Sequence, residues 1–199
     1  MVSQVFKNEE LLYLKGYLKG KGFDRAVKAV NLAEELHADA KRKSGEPYIS
    51  HPCRIANALI SLKIDDEDIL IATILHDVLE DTDMRAELLE EYVGKNATRI
   101  IKLVTKEKGI STEVYYKNIS MDKKATIVKV ADRCHNVSTM YFFSEEKMKE
   151  YIEETEAYIL PMCSQISNDY PEMADYLYTM KYQIESILET AKFFLNKYK

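Results

Sequence analysis

His76 and Asp77 stand side by side in the run ILHDVLEDT over residues 74–82, and Glu80 and Asp81 follow about one helical turn later. An imidazole and a carboxylate among Ile, Leu and Val are costly to bury unless something compensates both, and a divalent cation does so. A lone His-Asp pair in a helix is more commonly a packed core histidine, so the doublet gains its weight from company. His51, one of four histidines, lies in GEPYISHP over residues 45–52, where Pro52 suits the first turn of a helix and lets the imidazole point inward. Asp132 follows an apolar run in IVKVADRCHN over residues 127–136. His51, His76, Asp77 and Asp132 together make a mixed nitrogen and oxygen donor set that suits manganese, iron or zinc better than calcium or a thiolate-seeking metal. Positions four apart share a helix face, which pairs His76 with Glu80 and Asp77 with Asp81 and sets two candidate proton-transfer carboxylates beside the ligands.

The elements that must hold these groups are helices. Apolar residues recur at helical spacing over residues 9–18, 23–41, 52–62, 66–79, 84–92, 96–105, 121–140, 145–167 and 171–197, while alternating strand patterns are nearly absent. Asp65 to Asp68 form an acidic start that suits the positive end of a helix dipole, so 66–79 is expected as one continuous helix carrying the doublet. Residues 106–120, polar and containing Gly109, read as a mobile loop near the site. The tyrosine-rich C-terminal helices either cover the core or pair with a second copy as a homodimer, and packing is the simpler reading. A chain of 199 residues can bury a sizeable core, and it shows no Pro/Gly/Ser-rich linker and no internal repeat.

No stretch approaches the ~20 apolar residues of a membrane span, and MVSQVFKNEELL is too polar for a signal peptide, so the expected location is cytoplasmic. Cys53, Cys134 and Cys163 are scattered without metal or disulfide spacing, which fits a reducing compartment. A net charge of −5 argues against a nucleic-acid partner. Positive charge is nonetheless concentrated locally, at Lys41, Arg42 and Lys43, within ten residues of His51. A basic run at a helix end is by itself usually a solvated cap. Beside a metal ligand, Arg42 offers a planar bidentate fork for phosphate and Lys43 a point charge.

The strings RKSGEPYISHP over residues 42–52, HDVLEDT over 76–82 and VADRCHN over 130–136 resemble, in that order, the hydrolase domain of RelA/SpoT-type proteins, a group of HD-domain metal-dependent phosphohydrolases. The resemblance runs from about residue 23 to about residue 158. It implies an all-α fold, a single HD-domain helical bundle over 1–199 with the helices of 159–199 packed on the motif-bearing core. It also implies one manganese ion and hydrolysis of the 3′-pyrophosphate of guanosine tetra- or pentaphosphate (ppGpp or pppGpp). The chain is too short for the synthetase and regulatory regions of the long forms and is similar to the stand-alone small alarmone hydrolases. Glu80 and Asp81 match the pair that sets these hydrolases apart from many other HD proteins. Arg42, Lys43, Ser44 and Asn136 match nucleotide contacts, with Lys149 and Tyr151 as further substrate contacts. Two other readings stand beside this one: an HD phosphohydrolase acting on another nucleotide such as NADPH, and a non-catalytic alarmone sensor, against which the Glu80-Asp81 pair counts. His37 and His135 read as packed or supporting groups.

Overall fold

The computed structural model describes residues 2–197, with side chains from residue 9 onward. Twelve α-helices are found among the described residues, and the strand-like pairing there is an isolated bridge between Lys41 and Pro47. No helix among them is long and apolar enough to cross a membrane. The backbone forms two compact units, one running to Ile110 and the other beginning at Ser111.

The first unit contains α1 (Val2–Lys21), α2 (Asp24–Leu36), α3 (Ser50–Ser61), α4 (Glu67–Ile74), α5 (Val78–Asp81), α6 (Ala86–Val93) and α7 (Lys95–Val104). Its centre is α4, in which Ile69 through Ile74 are all buried, as expected of a helix packed on every side by α2, α3 and α7. The start of α4 is fixed twice. Asp66 caps it by accepting the Ile69 N–H at 3.1 Å, and the Arg25 guanidinium bridges Glu67 at 2.6 Å, Asp68 at 2.9 Å and the Val93 carbonyl at 3.1 Å.

Two expectations about this unit change. The helix over 66–79 is broken: α4 ends at Ile74, and His76 and Asp77 occupy a turn before the short α5. The cause is local. His76 Nδ1 lies 2.9 Å from the Thr73 carbonyl, the acceptor that the Asp77 N–H would use in a continued helix, so the side chain competes the backbone out of its own ladder. Likewise α2 stops at Leu36 instead of reaching residue 41, and the segment after it folds into a tight turn.

The second unit contains α8 (Thr112–Ser120), α9 (Lys123–Ser138), α10 (Glu145–Glu154), α11 (Leu160–Asp169) and α12 (Ala174–Lys197). Here the mobile loop expected over 106–120 is corrected, because its second half is α8. Ser111 caps that helix by accepting the Val114 N–H, and Tyr115, Tyr116 and Ile119 bury one face of it. The helix pattern over 145–167 is continuous in direction but passes through a π-helical turn at Thr155–Ile159 between α10 and α11. α9 packs against α11 and α12, and the buried Tyr176 hydroxyl donates to the Ile127 carbonyl at 2.9 Å. Cys53, Cys134 and Cys163 are buried and not joined in disulfides, and burial pushes Cys134 up to about 11 and Cys163 up to about 12.

Candidate metal centre

The first unit brings His51, His76 and Asp77 together. His51 sits in the first turn of α3, fully buried, and His76 and Asp77 in the break after α4, so one ligand atom from each of the three lies within 4.8 Å of the others. His51 Nε2 and His76 Nε2 face each other at 3.2 Å, and His76 Nε2 is 3.2 Å from Asp77 Oδ2.

The donor chemistry fits a divalent cation. A carbonyl only accepts, so the contact to Thr73 O requires the proton on His76 Nδ1 and leaves the Nε2 lone pair of the neutral ring turned toward His51 and Asp77. The His76 Nε2 lone pair, His51 Nε2 and an Asp77 carboxylate oxygen thus face one another closely enough for a single divalent cation to hold all three. The break in the helix thus does two things: it frees the Thr73 carbonyl to orient His76, and it swings Asp77 to the same side as the ring.

Tyr48 was not singled out by its residue type. It lies three residues before His51, and its hydroxyl donates a hydrogen bond to Asp77 Oδ2, while its ring stacks on buried His37 with centroids 4.2 Å apart. The signal was present, since this tyrosine belongs to the PYISHP string, but side-chain reach alone decides which carboxylate it meets. Burial lowers the His37 pKa, against the pull of Asp81 and Asp77, so the ring behaves as a neutral packing partner.

Glu80 and Asp81 lie on α5, both solvent-accessible. Glu80 Oε1 accepts the Lys106 backbone N–H at 2.5 Å, which fixes the carboxylate and tethers the loop that precedes α8. The Asp81 carboxyl is held above its ordinary range by partial desolvation and by the Asp77 charge, against the opposing influence of His37, His76 and Arg42. That last effect puts the Arg42 charge within electrostatic reach of the acidic pair.

Arg42, Lys43 and Ser44 are carried by a tight turn. The Arg42 N–H donates to the Glu46 carbonyl at 2.9 Å, the Gly45 N–H returns to the Arg42 carbonyl at 2.8 Å, and the Tyr48 N–H reaches the Ala40 carbonyl at 2.9 Å. Gly45 has φ of +82°, a conformation that costs a side-chain-bearing residue about 1 kcal/mol or more. Arg54 locks the far side of the turn through a bidentate contact with Glu46 at 2.8 and 3.0 Å, and also grips Glu10 on α1. A flexible basic run is thereby turned into a rigid platform immediately before α3 and His51.

The remaining sequence-derived candidates belong to the second unit. Asp132 is buried on α9; its Oδ1 accepts the Asn136 amide at 2.6 Å and its Oδ2 the Lys129 ammonium at 3.2 Å. Arg133, also buried, donates to Thr155 Oγ1 at 3.1 Å, to the Tyr116 hydroxyl at 2.6 Å and to Glu154. Its guanidinium carbon sits 3.9 Å above the Tyr151 ring. Tyr151 is therefore packed beneath an arginine, and Lys149 forms an exposed pair with Glu145 one turn away at 2.6 Å.

A family model described as "HD domain" matches residues 29–161, a span running through both units. The guanosine-3′,5′-bis(diphosphate) 3′-pyrophosphohydrolase of Aquifex aeolicus (strain VF5) is 37% identical over 170 residues, covering 78% of this chain and 24% of that protein. The bifunctional (p)ppGpp synthase/hydrolase SpoT of Escherichia coli (strain K12) is 32% identical over 153 residues, covering 71% of this chain and 22% of that protein. The chain thus spans about a quarter or less of the length of these curated relatives. A solved structure of a metazoan ortholog of SpoT, described as hydrolysing ppGpp and acting in starvation responses, superposes with a TM-score of 0.69 at 20% identity, covering 84% of this chain and 95% of that one. Its helical fold is shared.

Proposed function

The chain belongs to the HD domain family, and from that premise we propose that it is a metal-dependent phosphohydrolase that removes the 3′-pyrophosphate of ppGpp and pppGpp. The observation that carries this reading is the buried convergence of His51 Nε2, His76 Nε2 and Asp77 Oδ2, with the Glu80-Asp81 pair one turn further on. The names and identities of the relatives support the choice of substrate. Asp132 is proposed as the fourth ligand and manganese as the ion, because two imidazoles and two carboxylates suit it, and the two units serve as one HD domain.

A divalent cation held by His51, His76, Asp77 and Asp132 would supply Lewis acidity to the phosphoryl group and to the attacking water. The protein's own groups do the rest. A water oxygen attacks the 3′-phosphorus nearest the ribose, the bond from that phosphorus to O3′ breaks, and pyrophosphate departs while O3′ gains a proton. Glu80, its orientation fixed by the Lys106 amide, accepts the proton released by the water. Asp81 shares that proton relay from the same helix. Arg42 and Lys43 neutralise phosphate charge from the rigid turn, Ser44 and Asn136 bind sugar and base, and Lys149 and Tyr151 border the nucleotide.

Metal dependence is the direct test. Protein stripped with a chelator and dialysed should turn over ppGpp at background rate, and added manganese should restore full activity at about one equivalent per chain. Undiminished turnover by thoroughly metal-free protein would remove the metal from the reaction.

A further inference from the structure

The second unit carries an apolar groove that shares no residue with the metal centre. Met140 and Phe143 from the stretch between α9 and α10, Met148 of α10, and Ile187, Ala191 and Phe194 of α12 line a cavity of about 680 Å³. Polar side chains on its walls are engaged elsewhere: the Ser138 hydroxyl donates to the His135 carbonyl at 2.7 Å, the Thr190 hydroxyl to the Ser186 carbonyl at 2.9 Å, and Lys149 to Glu145 at 2.6 Å. Exposed rings stand at the same rim. Tyr141 and Phe194, both lining the groove, are 67% and 49% exposed, and each has a ring neighbour turned to solvent: Phe142, 43% exposed, with centroids 4.4 Å apart, and Phe193, 59% exposed, at 5.5 Å.

A ring of this size buries about 150–250 Å² when fully covered, so four at roughly half exposure offer on the order of 400 Å² per copy. That is about half of the ~800 Å² per partner of a standard interface, before the groove walls are added. The charges beside the rings say what completes it. Phe193 has Glu189 one helical turn before it and Lys197 one turn after it on the same face of α12, and the Lys197 ammonium lies 5.4 Å from the centre of the Phe193 ring. A helix so marked is complementary to itself reversed. Two copies of α12 laid antiparallel about a twofold axis at Phe193 set each copy's Glu189 against the other's Lys197, whereas a parallel pair sets like charge against like. We propose that this face is a self-association surface, on which two copies of the chain pair α12 antiparallel and the exposed rings of each enter the groove of the other. A small apolar molecule or a lipid surface would fill the groove without reading this alternation of sign.

Sedimentation velocity on the purified full chain tests this. Wild-type protein should be dimeric above about 10 µM and dissociate on dilution, the range of a modest reversible interface. Phe193→Glu, at a solvent-exposed position, should be monomeric throughout. Reversing the charges reads the register. Glu189→Lys and Lys197→Glu should each weaken association about tenfold, since each creates two like-charged pairs per dimer, and the double variant should restore it. A wild-type chain that stays monomeric at ~100 µM would overturn the inference, and its flotation with phosphatidylcholine vesicles would then give the face to a lipid surface instead. A dimer indifferent to Phe193→Glu would overturn it as well, and a double variant weaker than either single one would refute the antiparallel pairing.

Discussion

His76→Asn protein is expected to fold, to purify without its divalent ion and to lose at least about 1,000-fold in turnover of ppGpp, equivalent to the several kcal/mol that Lewis-acid stabilisation contributes. The choice of asparagine follows from the geometry. Its amide can still donate to the Thr73 carbonyl, which His76 Nδ1 approaches at 2.9 Å, so the helix break that shapes the site is kept. What disappears is Nε2, the atom shared between His51 and Asp77. Elemental analysis should fall from about one ion per chain to near zero, with the midpoint of thermal unfolding of the metal-free proteins shifted by only a few degrees. A variant that keeps both its metal and its turnover would show that His76 is a packed core histidine.

Glu80→Gln should show the complementary behaviour, with metal retained and kcat lowered by about 100-fold or more, the scale of a general acid/base group. Glutamine is nearly isosteric, and its carbonyl oxygen can accept the Lys106 N–H that Glu80 Oε1 now accepts, so the loop before α8 stays tethered. Only the capacity to take a proton is removed. The readout is single-turnover kinetics on manganese-loaded protein beside metal analysis of the same sample. Turnover near the wild-type rate would assign Glu80 to loop tethering and leave Asp81 as the proton acceptor.

Helical class was legible because the apolar positions of α3, α4 and α7 recur at a period near 3.6 and no competing alternation exists. The clustering of His51, His76 and Asp77 was legible because histidines are scarce in this chain and each of these residues stands next to an apolar run. The break at His76 was not, because it depends on one side-chain hydrogen bond to a backbone carbonyl, which leaves the hydropathy pattern unchanged. The helix α8 was hidden by Thr112, Glu113 and Lys117, which dilute the apolar signal; Tyr115, Tyr116 and Ile119 mark its buried face only once the Ser111 cap is recognised. Tyr48 escaped for another reason: its contact with Asp77 depends on side-chain reach and has no fixed signature in spacing.

The identity of the bond broken tests the account most directly. A site that directs one water to the phosphorus nearest the ribose releases pyrophosphate as a unit. Manganese-loaded protein incubated with ppGpp, with contaminating pyrophosphatase excluded, should give GDP and pyrophosphate in equal amounts by phosphorus NMR, with little orthophosphate. Orthophosphate as the first product, or ppGpp bound tightly and recovered intact, would contradict it.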